Sequence, residues 1–265
     1  MSTSSTKAAP KRLFVHVPFP QLKERLPLLA SRRLNPELFL SAPVLDTTPL
    51  SEIAEAARML REEGLSCTIH CPFMDLNPGS FEPLLREASR KRFYQVLDAA
   101  EHLRPEVMVF HPGYDRWRYG EQKELWHNLS LEIWKGVLER GREIGTVIAV
   151  ENIFEEEPST LKALMEAIGG GQHFGHCFDV GHWNLFHKVG MVEWFEALGE
   201  RIAEVHIHDN RGTRDDHAPP GEGGIDFELF FSLMERYAPN AAYTVEAHSL
   251  ENLERSLKAL APYLG

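Results

Sequence analysis

Residues 107–151 read VMVFHPGYDRWRYGEQKELWHNLSLEIWKGVLERGREIGTVIAVE. Two short apolar runs, Val107–His111 and Val147–Glu151, bracket a long amphipathic stretch at Gln122–Glu143. Each run is rich in Val and closes on an ionisable side chain. A strand, a crossover helix and a second strand of this size make a βαβ unit, whose strands lie parallel. The alternation continues in both directions. Toward the N-terminus, further strands are predicted at Leu13–Val17, Glu37–Leu40 and Cys67–His70; toward the C-terminus, at His176–Asp179, Ile202–His208 and Ala242–Glu246. Helical spacing of apolar residues marks Ser51–Glu63, Glu82–His102, Ser159–Ile168, Met191–Leu198, Phe227–Tyr237 and Leu250–Leu260. The segment Gln21–Leu34 is a weaker helix because Pro27 interrupts it. Eight such units in 265 residues predict the α/β class and a single-domain (β/α)8 TIM barrel. The barrel is expected over residues 11–265. Residues 1–10 are small and polar, with no apolar core, and predict a disordered tail, not a signal peptide.

Composition narrows the partners. With 28 Lys and Arg against 39 Asp and Glu, the net charge is −11, which repels polyphosphate and disfavours nucleic acid. No run is long and apolar enough for a membrane span. Cys67, Cys71 and Cys177 form no disulfide framework and read as buried thiols, so a cytoplasmic location is expected. Cys71 has opposite strand parity to His70 and should point away from it.

The chemistry gathers at the strand ends. His70, His111, Glu151, Asp179 and Glu246 each close a strand; His182 follows three residues after Asp179; His206 and His208 lie on the seventh strand; Asp215 and His217 follow it. That is the C-terminal face of the barrel, where enzymes of this fold keep their active sites. Any one strand-end His is more often a hydrogen-bonded core residue than a ligand. Together, however, so many imidazoles and carboxylates need positive charge, and nearby cations are few. A divalent metal is the simplest source; His and carboxylate donors without thiolate suit zinc, manganese, cobalt or iron.

These residues resemble the xylose isomerase-like barrel superfamily and, within it, the endonuclease IV pattern. The segments VFHPG, VEN, FDVGH and the GEG turn of PPGEGGIDF carry the resemblance, which runs from the first strand to the last. It implies up to three divalent ions, zinc first and manganese second, held by nine side chains. Glu151 would bridge two ions. His70 and His111 would hold the first, Asp179, His206 and Glu246 the second, and His182, Asp215 and His217 the third. Phe73 stands where the nuclease has Tyr, and His208 where it has Asn.

The expected activity is a metal-dependent isomerase or epimerase of a small sugar or sugar phosphate, with Glu151 and Glu246 as the acid/base pair. The alternative is phosphodiester hydrolysis of the endonuclease IV type, which the nine-donor set favours; a metal-loaded binding module is a third reading. His16, Phe73, Tyr114, Trp117, Trp183, His208 and Arg211 are expected to contact substrate. His16 also reads as a residue that orients a metal ligand from behind, and the loop carrying Tyr114 and Trp117 as an ordinary solvated one.

Overall fold

A computed structural model of the chain describes residues 12–264; the expected tail at residues 1–10 lies outside them. Eight parallel strands close into a barrel in sequence order: β1 Leu13–Pro18, β2 Asn35–Phe39, β3 Thr68–His70, β4 Val107–Phe110, β5 Val147–Glu151, β6 Phe174–Asp179, β7 Ile202–Ile207 and β8 Ala242–Val245. Closure is made by β1 against β8, with Phe14 beside Thr244 and Val15 beside Val245. The fold is therefore a single (β/α)8 barrel. Among the described residues, no helix is long and apolar enough to cross a membrane.

Strand parity sorts the side chains. Met108, Phe110, Ile148 and Val150 face outward and join the large core beneath the helices. Val107, Val109, Ala149 and Cys177 form a separate small cluster, and the alternation of β4 and β5 places it inside the barrel. The same inward parity carries Glu151 and Asp179 to the upper rim. Beside this apolar cluster the interior turns polar, with Glu204 in register with Cys177. Glu204 is fully buried there, accepting hydrogen bonds from Thr68 Oγ1 at 3.2 Å and from Thr244. Burial and the charge of Glu37 push the Glu204 carboxyl up to about 8, so it keeps its proton at neutral pH.

Three local differences from the sequence reading have physical causes. The first helix, Leu22–Arg32, runs straight through Pro27. Pro27 lies on the exposed face, where water can satisfy the carbonyl left without a donor, while Leu22, Leu26 and Leu29 bury the other face. Next, Asp179 is followed at once by a helix, Val180–Phe186, and its carboxylate caps it by accepting from the His182 N–H at 2.6 Å. Finally, Asp115 caps a one-turn helix, Arg116–Tyr119, in what reads as a plain loop.

All three cysteines are buried and free. Burial pushes the Cys67 thiol up to about 12 and holds Cys71 and Cys177 well above their ordinary value. The native protein should therefore resist Ellman's reagent, and all three thiols should react once it is unfolded. Rapid labelling of any one in native buffer would contradict this packing.

Candidate metal centre and its cavity

Glu151 is the hub. Its Oε1 lies 3.1 Å from His182 Nδ1 and 3.4 Å from His206 Nδ1. The other oxygen, Oε2, lies 3.2 Å from His111 Nε2 and 3.6 Å from His70 Nε2. Asp179 Oδ2 sits 3.2 Å from His208 Nε2 and 3.4 Å from His182 Nδ1. Glu246 reaches His206 Nδ1 and His217 Nδ1, each at 3.5 Å, and Asp215 reaches His217 at 3.0 Å and His182 at 3.5 Å. Thus His70, His111, Glu151, Asp179, His182, His206, Asp215, His217 and Glu246 form one connected cluster.

Local structure sets these positions. Asn152 clamps β5 to β6: its amide donates to the Asp179 carbonyl at 2.9 Å and its Oδ1 accepts from the Asp179 N–H at 3.0 Å. Asp209 organises the turn that follows Asp215 and His217. Its carboxylate accepts N–H groups from Gly221, Gly223, Gly224 and Ile225 at 2.8–3.3 Å. A Cβ at Gly223 would meet Asp209 Oδ1 at 2.1 Å, so only glycine permits that approach.

Two residues differ from their expected roles. His208, expected at the substrate, is fully buried among the donors, between Asp179 and Asp215, and stacks on His217 at 4.0 Å. Glu37, which the sequence reading passes over as the start of β2, is fully buried and bridges two imidazoles. Its Oε1 lies 3.0 Å from His206 Nε2 and its Oε2 3.3 Å from His16 Nδ1. Burial alone would raise the Glu37 carboxyl; His206 and His16 overcome this and hold it well below the usual range. With Nε2 engaged by Glu37, His206 presents Nδ1 to Glu151, Asp179 and Glu246.

The cluster fits divalent cations. His111 Nε2, Glu151 Oε2, His206 Nδ1, His208 Nδ1 and His217 Nδ1 are buried without a hydrogen-bond partner. Such orphans are costly unless something binds them. Several donor sets have their atoms within 4.8 Å of one another, among them His70, Glu151 and His206; Asp179, His182 and His208; and His208, His217 and Glu246. These sets cut across the partition expected from the resemblance. Oxygen and imidazole donors suit zinc or manganese.

Without an ion, protons balance the carboxylates. Burial alone would lower His70, but Glu151 and Glu37 push it up to about 9. His182 is held well above its ordinary value, with burial opposing and Asp179 leading among the groups that raise it. His111 is lowered by burial. A metal must displace the protons from His70 and His182. Zinc affinity should therefore rise with pH through the range in which these imidazoles lose their protons, near 9 for His70. Calorimetry at neutral pH in two buffers of different ionisation enthalpy should detect proton release. Zero release would mean these imidazoles are already neutral.

Above the cluster opens a cavity of about 770 Å³. His16, Phe73 and Tyr114, for which substrate contact is expected, line it together with Phe39, Met74, Phe154, Phe186, Arg118 and Arg214. Besides His208, three expected contacts lie outside its lining. Trp117 is turned into solvent by the one-turn helix, 84% exposed, beneath the Arg116 guanidinium at 4.4 Å. Trp183 is buried and stacks on His187 at 4.0 Å. Arg211 donates to the Glu222 carbonyl at 3.3 Å.

The closed barrel thus carries at its C-terminal rim a buried cluster of imidazoles and carboxylates that could hold metal ions. The chain belongs to the xylose isomerase-like TIM barrel family, whose model matches residues 37–263. It is 29% identical over 210 residues to the uncharacterised protein MJ1311 of Methanocaldococcus jannaschii, covering 74% of this chain and 69% of that one. A probable endonuclease 4 of Mycobacterium leprae is 26% identical over 214 residues, 75% of this chain and 79% of the relative. Among solved structures, the TTHB071 protein from Thermus thermophilus, soaked with ZnCl2, superposes with a TM-score of 0.79 at 25% identity, covering 95% and 97% of the two chains. Sugar epimerases match at 13–16% identity, a likeness of fold alone.

Proposed function

We propose that this chain is a metal-dependent isomerase or epimerase of a small sugar or sugar phosphate. One observation carries the reading: Glu151 and Glu246 converge on the same His206 Nδ1, at 3.4 and 3.5 Å, and both line the cavity. Two carboxylates beside one substrate position can remove a proton from a carbon and return it. A divalent ion held by Glu151, Asp179, His206 and Glu246 would polarise the carbonyl and acidify the neighbouring C–H. Phe73, stacked on His111 at 4.2 Å, offers a flat face to the C–H side of a sugar. His16, held at Nδ1 by Glu37, presents the rest of its ring to the cavity.

The test is solvent-deuterium exchange. Zinc- or manganese-loaded protein in D2O, given a panel of ketoses, aldoses and their phosphates, should label one substrate carbon. Glu246→Gln should remove the labelling. No exchange on any sugar would sink the reading.

Phosphodiester hydrolysis is the second reading, favoured by the nine donors and the likeness to a probable endonuclease 4. Against it stands the charge of −11, with Arg118 and Arg214 the only Lys or Arg side chains that line the cavity among the described residues. A duplex needs several phosphates neutralised. Binding to an abasic-site duplex should therefore be negligible at about 0.15 M salt. Efficient metal-dependent incision there would reverse the order of the two readings.

A further inference from the structure

The cavity changes character with depth. Its floor is polar and buried: Glu151 is 1% exposed and Glu246 8%. At the mouth are large apolar side chains left open to water, with Met74 72% exposed and Phe154 49%. Phe154 meets Phe186 edge-on at 5.3 Å. These three come from separate segments, after β3, after β5 and within the helix after β6, so the patch is made by the fold and not by one apolar stretch.

An unadorned sugar has no use for this second zone. Its edges are hydroxyls, and a hydroxyl against Met74 or Phe154 exchanges water for no partner. Phe73, over His111, already supplies a surface for the sugar's C–H face. The cavity volume, about 770 Å³, falls within the range that encloses drug-sized ligands. Large apolar groups left exposed beside a polar site mark a recognition surface. Arg118 and Arg214 line the same cavity, each only 4.0 Å from its nearest carboxylate, Asp115 and Asp216. Loosely held guanidiniums suit the face of an aromatic ring and its oxygen substituents.

We propose that the substrate is a sugar bearing an aryl substituent, with the sugar on the carboxylate floor and the ring against Met74, Phe154 and Phe186. This rests on the sugar reading above and names its substrate class. The exposed positions of Met74 and Phe154 allow their replacement without disturbing the core.

The experiment titrates the zinc-loaded full chain with paired 6-O-methyl and 6-O-phenyl ethers of glucose, galactose and fructose, which leave the anomeric carbon free, and with phenol alone. At least one aryl ether should bind about tenfold tighter than its methyl partner, through burial of the ring, and tighter than phenol. In the Met74→Ala/Phe154→Ala double variant, the aryl-to-methyl affinity ratio should fall toward one. Equal affinities in every pair would overturn the proposal, as would a preference that survives the double variant. Sedimentation showing that Phe154 is buried by a second copy of the chain would also overturn it. Deuterium exchange separates the two readings. Exchange on free sugars with no aryl preference keeps the reaction and removes this subsite; aryl preference with no exchange on any sugar does the reverse.

Discussion

Glu151→Gln should empty the metal centre and lower activity by about 10²–10⁴-fold, the range that a positioned acid or base contributes. The substitution keeps shape and removes charge. Glu151 touches His70, His111, His182 and His206 within 3.6 Å, so no other carboxylate in the cluster is as central. With its charge gone, the imidazoles lose their principal shared anion, and a bound cation would lose a carboxylate donor. Elemental analysis of purified variant and parent, with far-UV circular dichroism to show an intact barrel, reads the result. A Glu151→Gln protein that keeps its full metal content would remove this residue from the hub.

Glu37→Gln is expected to weaken metal binding by about 10–100-fold, although Glu37 lies behind a donor. The carboxylate holds His206 at Nε2, 3.0 Å away, which fixes the tautomer and leaves Nδ1 as donor. A neutral amide holds that proton less strongly and places an N–H group beside His206 or His16. Chelator competition gives the affinity. Nitrogen-15 spectra of the histidines give the tautomer, which a purely packing role would not change. Unchanged affinity together with an unchanged His206 tautomer would reduce Glu37 to a buried acid without influence on the centre.

The barrel is legible because its signal is repeated. Each strand is an apolar run and each is followed by helical spacing, so an error at Pro27 or a missed turn of helix after Asp179 does not disturb the count. The donors are legible because they interrupt or end those runs, where an unpaired charge is costly. Glu37 escapes because the expected strand begins there, which makes a charge look terminal. Its neighbour Phe39 pairs with His70 across the sheet, and only that register places Glu37 inside the barrel. Glu204 has a readable signal in its period-two relation to His206. Trp117 and Arg211 are misplaced because loop geometry decides their direction: a single capped turn and a carbonyl contact are not visible in spacing.

The donors come from β3 through the segment after β8, so those that meet around one ion are separated by much of the chain. A bound ion therefore acts as a reversible cross-link between distant parts of the polypeptide, closing long loops that the unfolded chain would otherwise explore. Its escape into the cavity requires several of these donors to release it together. Loaded protein should then unfold at a higher temperature than metal-free protein, by an amount that grows with the concentration of free metal.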